Sequence, residues 1–144
     1  MMKVTHGIAA FTAGYLITSD LQFSLYAVIF GLMSDLDLIV GIKHRTATHS
    51  IVFLLSVSAL AGMINSLAGV AAFLGIGSHI LLDMLTKSGV QLYWPIKRRV
   101  RVARFSYDGL LPNYAIILSC WILIIYTGGA EAVREIERVL GMLK

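Results

Sequence analysis

The segment that decides the fold runs from residue 50 to residue 86 and reads SIVFLLSVSALAGMINSLAGVAAFLGIGSHILLDMLT. Asp83 is its one charged residue. A single membrane-spanning helix needs about 20 apolar residues, so this segment is too long for one span. Asn65, Ser66 and Gly69 lie near its middle and favour a turn there. The segment therefore predicts a helical hairpin with arms at residues 50–66 and 69–86.

The composition of the whole chain excludes most other classes of protein. Of its 144 residues, 58% are apolar and 14% are charged, whereas soluble domains average roughly 45–50% apolar and about 25% charged residues. Intrinsic disorder needs low hydrophobicity and high net charge, so it is excluded as well. Cys120 is the single cysteine, and no disulfide can form within the chain. The chain is therefore predicted to be one all-α domain, residues 1–144, embedded in a membrane.

Three further apolar stretches extend this bundle. Residues 4–18 and 21–33 precede the hairpin, and residues 109–127 follow it. No small-residue cleavage site follows the first stretch, so we expect a retained helix rather than a signal peptide. The tail, residues 130–144, has apolar side chains at helical spacing and predicts an amphipathic helix at an interface. The expected fold is an integral membrane bundle of about five embedded helices plus this C-terminal helix.

All four histidines and three of the aspartates fall near predicted helix ends. If consecutive helices run antiparallel, as short connections favour, these ends lie on one side of the membrane. Ionisable side chains are costly in a bilayer, so their gathering at one surface predicts a functional site. The residues are His6, Asp35, Asp37, His44, His49, His79 and Asp83.

The spacing of His79 and Asp83 is the most informative. They are four residues apart and share one face of a helix. That face continues back through Gly75 and Ala71, small residues that allow a second helix to approach closely.

The remaining candidates lie at helix ends, where their geometry depends on the local backbone. His44 and His49 can converge only if His44 lies in a loop, and Thr48 is a candidate N-cap for the helix that follows. Asp35 and Asp37 point apart in a helix but the same way in an extended segment, and the sequence leaves both geometries open.

Imidazoles and carboxylates at this density match the ligand set of zinc, with manganese as the alternative. Seven candidate ligands suffice for roughly one to three divalent ions, which activate water and hold a phosphoryl group. Taken alone, His6 or Asp37 is explained equally well as a structural polar group. A proton relay or an ion carrier would also use such residues, although at several depths in the membrane.

Basic residues lie mostly on the side of the predicted site. The positive-inside rule therefore puts the site at the cytoplasmic face of a multi-pass inner-membrane protein. The basic connection, residues 88–108, suits anionic lipid headgroups, and no direct nucleic-acid partner is expected. Arg45 stands between His44 and His49 and is placed to contact an anionic group. The basic residues on that side are Lys3, Lys43, Arg45, Lys87, Lys97, Arg98, Arg99, Arg101 and Arg104.

Four motifs in residues 5–95 resemble the membrane-bound metal-dependent hydrolases of the YdjM-like family. That family is distantly similar to zinc-dependent phospholipase C and P1-type nucleases, which are all-helical enzymes that cleave phosphoesters. The resemblance implies metal or catalytic roles for His6, Asp35, Asp37, His44, His49, His79 and Asp83. Ser34 and Thr46 depart from the proline and glycine that the family usually has there, which affects loop shape. The motifs are Asp35-Leu36-Asp37, His44-Arg45-Thr46-Ala47-Thr48-His49-Ser50, Ser78-His79-Ile80-Leu81-Leu82-Asp83 and Gly89-Val90 through Trp94-Pro95.

The predicted function is a membrane-embedded hydrolase that cleaves a phosphoester in a lipid or lipid-linked substrate with metal-activated water. His6, Asp35, His44, His49, His79 and Asp83 are the predicted metal ligands, and Asp35, Asp37 and Arg45 the predicted catalytic residues. The alternative is a non-enzymatic membrane scaffold or regulator-binding protein whose polar residues form a structural network. The oligomeric state stays open, although Ala10 and Gly14 would allow close helix packing.

Overall fold

The computed structural model describes residues 1–41 and 43–142, with their side chains except at residues 40, 129 and 131–142. Within this range the protein is all-helical, as predicted, and has only two isolated β-bridges, Thr86 with Phe105 and Val90 with Val100. Two 3₁₀ turns, Ser34–Leu36 and Ala47–His49, lie between helices. The helices are α1 (Lys3–Thr18), α2 (Leu21–Met33), α3 (Asp37–Val40), α4 (Ile51–Ile64), α5 (Ser66–Met84) and α6 (Leu110–Met142).

The helix starts follow from polar caps in an otherwise apolar chain. The side chains of Asp20, Ser50 and Asn65 each accept a hydrogen bond from a backbone N–H in the first turn of α2, α4 and α5. Each cap satisfies a donor that a helix start would otherwise leave unpaired. The prediction that Thr48 caps α4 is wrong, because the helix begins at Ile51 and Ser50 caps it.

Three segments are long and apolar enough to cross a bilayer: Leu21–Ile39, Ser66–Met84 and Leu110–Gly128. The segment Ile51–Ile64 is apolar but shorter than a full span of about 20 residues. These lengths support a membrane protein. The count of about five embedded helices stays a prediction.

The last helix differs from the expected pattern. We expected a break at Gly128 and Gly129 between the embedded helix and the tail helix. The apolar span does end at Gly128, but the backbone of α6 stays helical through both glycines and on to Met142. A glycine in a helix interior costs about 1 kcal/mol relative to alanine, which weakens a helix without ending it. The amphipathic stripe predicted for residues 130–144 falls on side chains outside the described set.

Small residues let the helices of the bundle cross at short range. A methyl group at Gly75 of α5 would lie 2.7 Å from the Gly31 nitrogen of α2, and one at Gly14 of α1 would lie 2.9 Å from the Ser24 Cα of α2. Ala10 is fully buried. The small face predicted for α5 is therefore a helix contact, and Ala10 and Gly14 are used within this bundle, where α1 packs on α2.

Candidate functional site

The side chains predicted to converge meet at one end of the helix bundle. The beginning of α1, the turn after α2, the loop before α4 and the end of α5 all contribute to it. The turns at residues 19–20 and 65 close the opposite end. His6, Asp35, Asp37, His44, Arg45, His49, His79 and Asp83 form one connected set of polar contacts.

Asp83 lies at the centre of this set and is almost fully buried. The guanidinium of Arg45 contacts it at two points, with Nε 2.9 Å from Oδ2 and Nη2 3.1 Å from Oδ1. Arg45 Nη1 donates to Thr86 Oγ1 at 2.9 Å. The backbone nitrogen of Met1 lies 2.9 Å from Asp83 Oδ1. Arg45 was predicted to contact an anionic group, and the structure shows its guanidinium against Asp83 and Thr86.

Three histidines surround the same carboxylate. His6 Nε2 lies 3.3 Å from Asp83 Oδ1, and His49 Nε2 lies 3.4 Å from Asp83 Oδ2. The rings of His6 and His79 stack with their centroids 3.7 Å apart. The ring of His79 also meets that of His49 edge-on at 5.1 Å. The imidazoles therefore lie close enough together to share a ligand.

Asp37 has a different environment, although it is equally buried. Its Oδ1 contacts His44 Nδ1 at 2.9 Å, and its Oδ2 accepts from Thr48 Oγ1 at 2.9 Å and from the Arg45 backbone N–H at 3.2 Å. His49 Nδ1 lies 3.0 Å from Thr48 Oγ1 and 3.5 Å from Asp37 Oδ2. A carboxylate bound to Nδ1–H fixes the tautomer of a histidine and leaves Nε2 as the free ligand atom.

The loop before α4 brings these groups together through one residue with unusual backbone geometry. Arg45 has a φ of 63°, in the left-handed region that few non-glycine residues adopt. This conformation directs the Arg45 N–H at Asp37 while the guanidinium reaches Asp83. His44 lies in this loop, which is the condition under which His44 and His49 were predicted to converge, and their rings are 5.0 Å apart.

Asp35 points away from Asp37, since both lie in a helical stretch where residues two apart face different sides. Its Oδ1 is 3.6 Å from His79 Nε2. No lysine or arginine among the described residues forms an ion pair with Asp35. Of the three carboxylates in the set, Asp35 is therefore the one that keeps acceptor capacity for a ligand.

Several imidazole nitrogens are buried without a hydrogen-bond partner in the described part of the chain: His6 Nδ1, His49 Nε2 and both nitrogens of His79. Each buried unsatisfied polar atom costs about 1–3 kcal/mol, so a ligand that satisfies several of them is strongly favoured. A divalent cation fits, because neutral imidazole and carboxylate are the ligands that zinc takes. Two groups have ligand atoms within 4.8 Å of one another: His6, His79 and Asp83, and Asp35, His44 and His49.

A cavity of about 530 Å³ opens onto this cluster. His6, Asp35, His44, Arg45 and Asp83 lie in its wall. The rest of the wall comes from the beginning of α1, α3 and the connection between α5 and α6. Those residues are Met1, Met2, Lys3, Leu38, Ser88, Arg99, Tyr107 and Asp108. The sequence indicated only the basic charge of Lys3 and Arg99 there.

The comparisons with known proteins agree with the membrane character of this fold. The model of the family described as YdjM inner membrane protein matches residues 1–140. The chain belongs to the YdjM inner membrane protein family. This match confirms two parts of the prediction: the family, and localisation to a membrane. The family description names no chemistry, so metal-dependent hydrolysis stays a prediction for this YdjM-family protein.

A relative from Bacillus subtilis (strain 168), YvsG, described as an uncharacterized protein, is 32% identical over 68 residues. The match covers 46% of this YdjM-family chain and 42% of YvsG, so the chain spans less than half the length of this relative. No solved structure matches the chain significantly.

Proposed function

We propose that this protein is a membrane-embedded metal-dependent hydrolase that cleaves a phosphoester in a lipid or lipid-linked substrate. The observation that carries the proposal is a pair of buried, unpartnered imidazole nitrogens facing carboxylates: His49 Nε2 lies 3.4 Å from Asp83, and His79 Nε2 lies 3.6 Å from Asp35. Buried polar atoms without protein partners are uncommon, and where they cluster beside a cavity they favour the binding of a ligand there.

Asp35, His44 and His49 are the proposed principal ligands, with His79 beside Asp35. His6, His79 and Asp83 are a second group, although Arg45 already neutralises Asp83. Zinc is the proposed metal, manganese the alternative, and roughly one to three ions the expected number. A divalent ion bound here would lower the pKa of water and polarise a phosphoryl oxygen.

The residues around the cavity supply the rest of the reaction. In the proposed hydrolysis, the water oxygen bonds to phosphorus, the ester P–O bond breaks, and the leaving oxygen takes up a proton. Asp35 is the proposed acceptor of the proton that the water loses. Asp37 holds His44 and His49 in the orientation they need. A guanidinium has five N–H donors, so Arg45 keeps some for a phosphoryl oxygen beyond its contacts with Asp83 and Thr86.

The proposed setting is the cytoplasmic surface of the inner membrane. Both the cavity and the basic connection of residues 88–108 lie at the end of the bundle that carries the site. Tyr93, Trp94 and Ile96 in that connection are exposed, as is typical of side chains at a membrane interface. A lipid headgroup would therefore reach the cavity from the headgroup layer.

Metal content of the purified protein tests this proposal. The unmutated protein in detergent should hold zinc at a fixed ratio, and Asp35→Asn and His49→Ala should each lose most of it. Asp20→Asn is the matched control, because Asp20 caps α2 at the opposite end and asparagine caps equally well. The proposal fails if the unmutated protein binds neither zinc nor manganese after reloading.

The second candidate is a non-enzymatic scaffold with a structural polar network. The surroundings of Asp37 and Asp83 favour this second candidate. Polar and charged groups contact the oxygens of both carboxylates, as is typical of a structural core. If the protein is a scaffold, replacing the histidines with alanine should lower its thermal stability. The unmutated protein should then release no product from phospholipid or phosphodiester substrates. Saturable, metal-dependent release in detergent would exclude the scaffold.

A further inference from the structure

The cavity has a cationic rim that the proposed hydrolysis does not use. Lys3 and Arg99 lie in its wall, in addition to Arg45. Both are exposed, whereas Arg45 is buried against Asp83. Two long cationic side chains in the wall of one cavity are thus accessible to an incoming anion.

The position of Lys3 follows from α1. Lys3 is the first residue of this helix and stands three residues before His6, so the two side chains share a face. His6 lies in the wall of the same cavity and contacts Asp83. The ammonium group is therefore on the side of α1 that carries the metal-ligand candidates.

Arg99 is held in place by a tight element of the connection. Its Nη1 donates to the carbonyl oxygens of Ser88, at 2.9 Å, and Gly89, at 3.4 Å. Val90 and Val100 exchange two backbone hydrogen bonds beside it. Gly89 has a φ of +57°, and a Cβ there would lie 2.5 Å from the Val100 oxygen. Only glycine allows this approach, so the fold itself positions Arg99 over the cavity.

One acidic side chain shares the rim. Asp108 lines the cavity and accepts a hydrogen bond from Ser106 Oγ at 2.7 Å. This hydrogen bond lowers the pKa of Asp108, so its carboxylate is ionised at neutral pH. The rim therefore carries two cations and one anion, and removal of Asp108 should strengthen its attraction for anions.

We propose that Lys3 and Arg99 bind a second anionic group of the substrate, so that the substrate is a diphosphate ester rather than a single phosphoester. This inference rests on the proposed function, because it assigns the first phosphate to the metal-ligand cluster. The cavity volume of about 530 Å³ falls in the range of roughly 300–1,000 Å³ typical of pockets for ligands much larger than one phosphate. Charge-assisted hydrogen bonds from two basic side chains suit the outer phosphate.

Calorimetric titration of the zinc-loaded protein in detergent with inorganic pyrophosphate and inorganic phosphate tests the inference. Pyrophosphate should bind at least about tenfold more tightly than phosphate. Lys3→Gln and Arg99→Gln should each weaken pyrophosphate binding about five- to tenfold and leave phosphate binding within about twofold. Asp108→Asn should strengthen pyrophosphate binding. The matched control is Arg98→Gln, an exposed neighbour outside the cavity wall, which should change neither affinity.

The outcomes separate the inference from the proposed function. Zinc content is measured after each titration, because pyrophosphate also chelates zinc in solution. Two results would overturn the second-anion site and leave the metal centre standing. In the first, zinc is retained but pyrophosphate and phosphate bind equally well. In the second, zinc is retained and Arg98→Gln and Arg99→Gln have the same affinity for pyrophosphate. If no metal is retained before titration, the proposed function fails. Arg99→Lys keeps the positive charge and should bind pyrophosphate nearly as tightly as the unmutated protein. Comparison with Arg99→Gln therefore separates loss of charge from misfolding.

Discussion

The crossing of α2 and α5 at Gly75 gives the sharpest test of how the fold positions the site. In Gly75→Ala, the new methyl group would overlap the carbonyl oxygen of Ala27 and lie 2.7 Å from the Gly31 nitrogen. Ordinary van der Waals contact begins near 3.4 Å. The obstacle is helix backbone, which cannot rotate away as a side chain would. The two helices must therefore move apart.

The size of the effect follows from two opposing terms. Overpacking of a tightly packed core costs about 1–3 kcal/mol, and a backbone obstacle puts this crossing at the upper end. The higher helix propensity of alanine offsets about 1 kcal/mol of that cost. We expect the free energy of unfolding to fall by about 2 kcal/mol in Gly75→Ala.

The same displacement should weaken metal binding. His79 and Asp83 lie one and two helical turns beyond Gly75 on the same face of α5. Metal ligands must be held within about 0.5 Å of their productive positions, and a shift of the helix by a larger distance exceeds that tolerance. Zinc affinity should therefore fall together with stability.

Gly77→Ala is the matched control. It is the same substitution two residues further along α5, and no described atom outside the backbone of its own helix lies within 4 Å of the new methyl group. Thermal unfolding in detergent and zinc titration of both variants make the comparison. Gly77→Ala should be at least as stable as the unmutated protein, with unchanged zinc affinity. Equal stability and equal zinc affinity in the two variants would refute the close crossing.

Three further substitutions test other parts of the structure. Asp37→Asn removes the negative charge and replaces one of the two acceptor oxygens that hold the loop before α4 with an NH₂ donor, and zinc affinity in equilibrium dialysis should fall about 10–100-fold while the helical circular dichroism stays unchanged. Asn113→Leu leaves the buried Thr5 hydroxyl without its acceptor, and chemical unfolding should show a loss of about 1–3 kcal/mol. Gly89→Ala places a methyl group 2.5 Å from the Val100 oxygen at a positive φ, and its thermal midpoint should drop below that of Gly109→Ala.

The helices could be predicted because their signals are local. The predicted range 21–33 and the observed α2, Leu21–Met33, coincide. The hairpin was predicted from its length and from the turn residues around Asn65, which does cap α5. The end of the last apolar span was predicted within a residue, but the expected break at Gly128 and Gly129 is absent, since two adjacent glycines are compatible with either a turn or a weakened helix. Neighbouring residues do not decide between those two conformations.

The convergence of the site could be predicted only in outline. His79 and Asp83 share a face because of their spacing, and antiparallel helices bring alternate ends together. The partners of each group follow from contacts between residues far apart in the chain, as in the pairing of Arg45 with Asp83. A positive φ at Arg45 directs that side chain, and no pattern in the sequence indicates it. Arg99 was likewise counted only as part of a basic block, because the connection after α5 has no helical or strand periodicity.

The three carboxylates of the site have separate roles because their surroundings differ. Asp83 is neutralised by a guanidinium that contacts it at two points, and Asp37 is saturated by hydrogen bonds from the loop that carries two histidines. Both can therefore be buried in an apolar bundle without a metal. Asp35 has an unpartnered nitrogen of His79 3.6 Å away, forms no ion pair with a lysine or arginine among the described residues, and remains partly exposed to the cavity. The carboxylate oxygens of Asp35 are therefore available to a cation, and the unsatisfied ligand atoms nearby belong to histidines. A cation between Asp35 and Nε2 of His79 would satisfy the carboxylate and that nitrogen together.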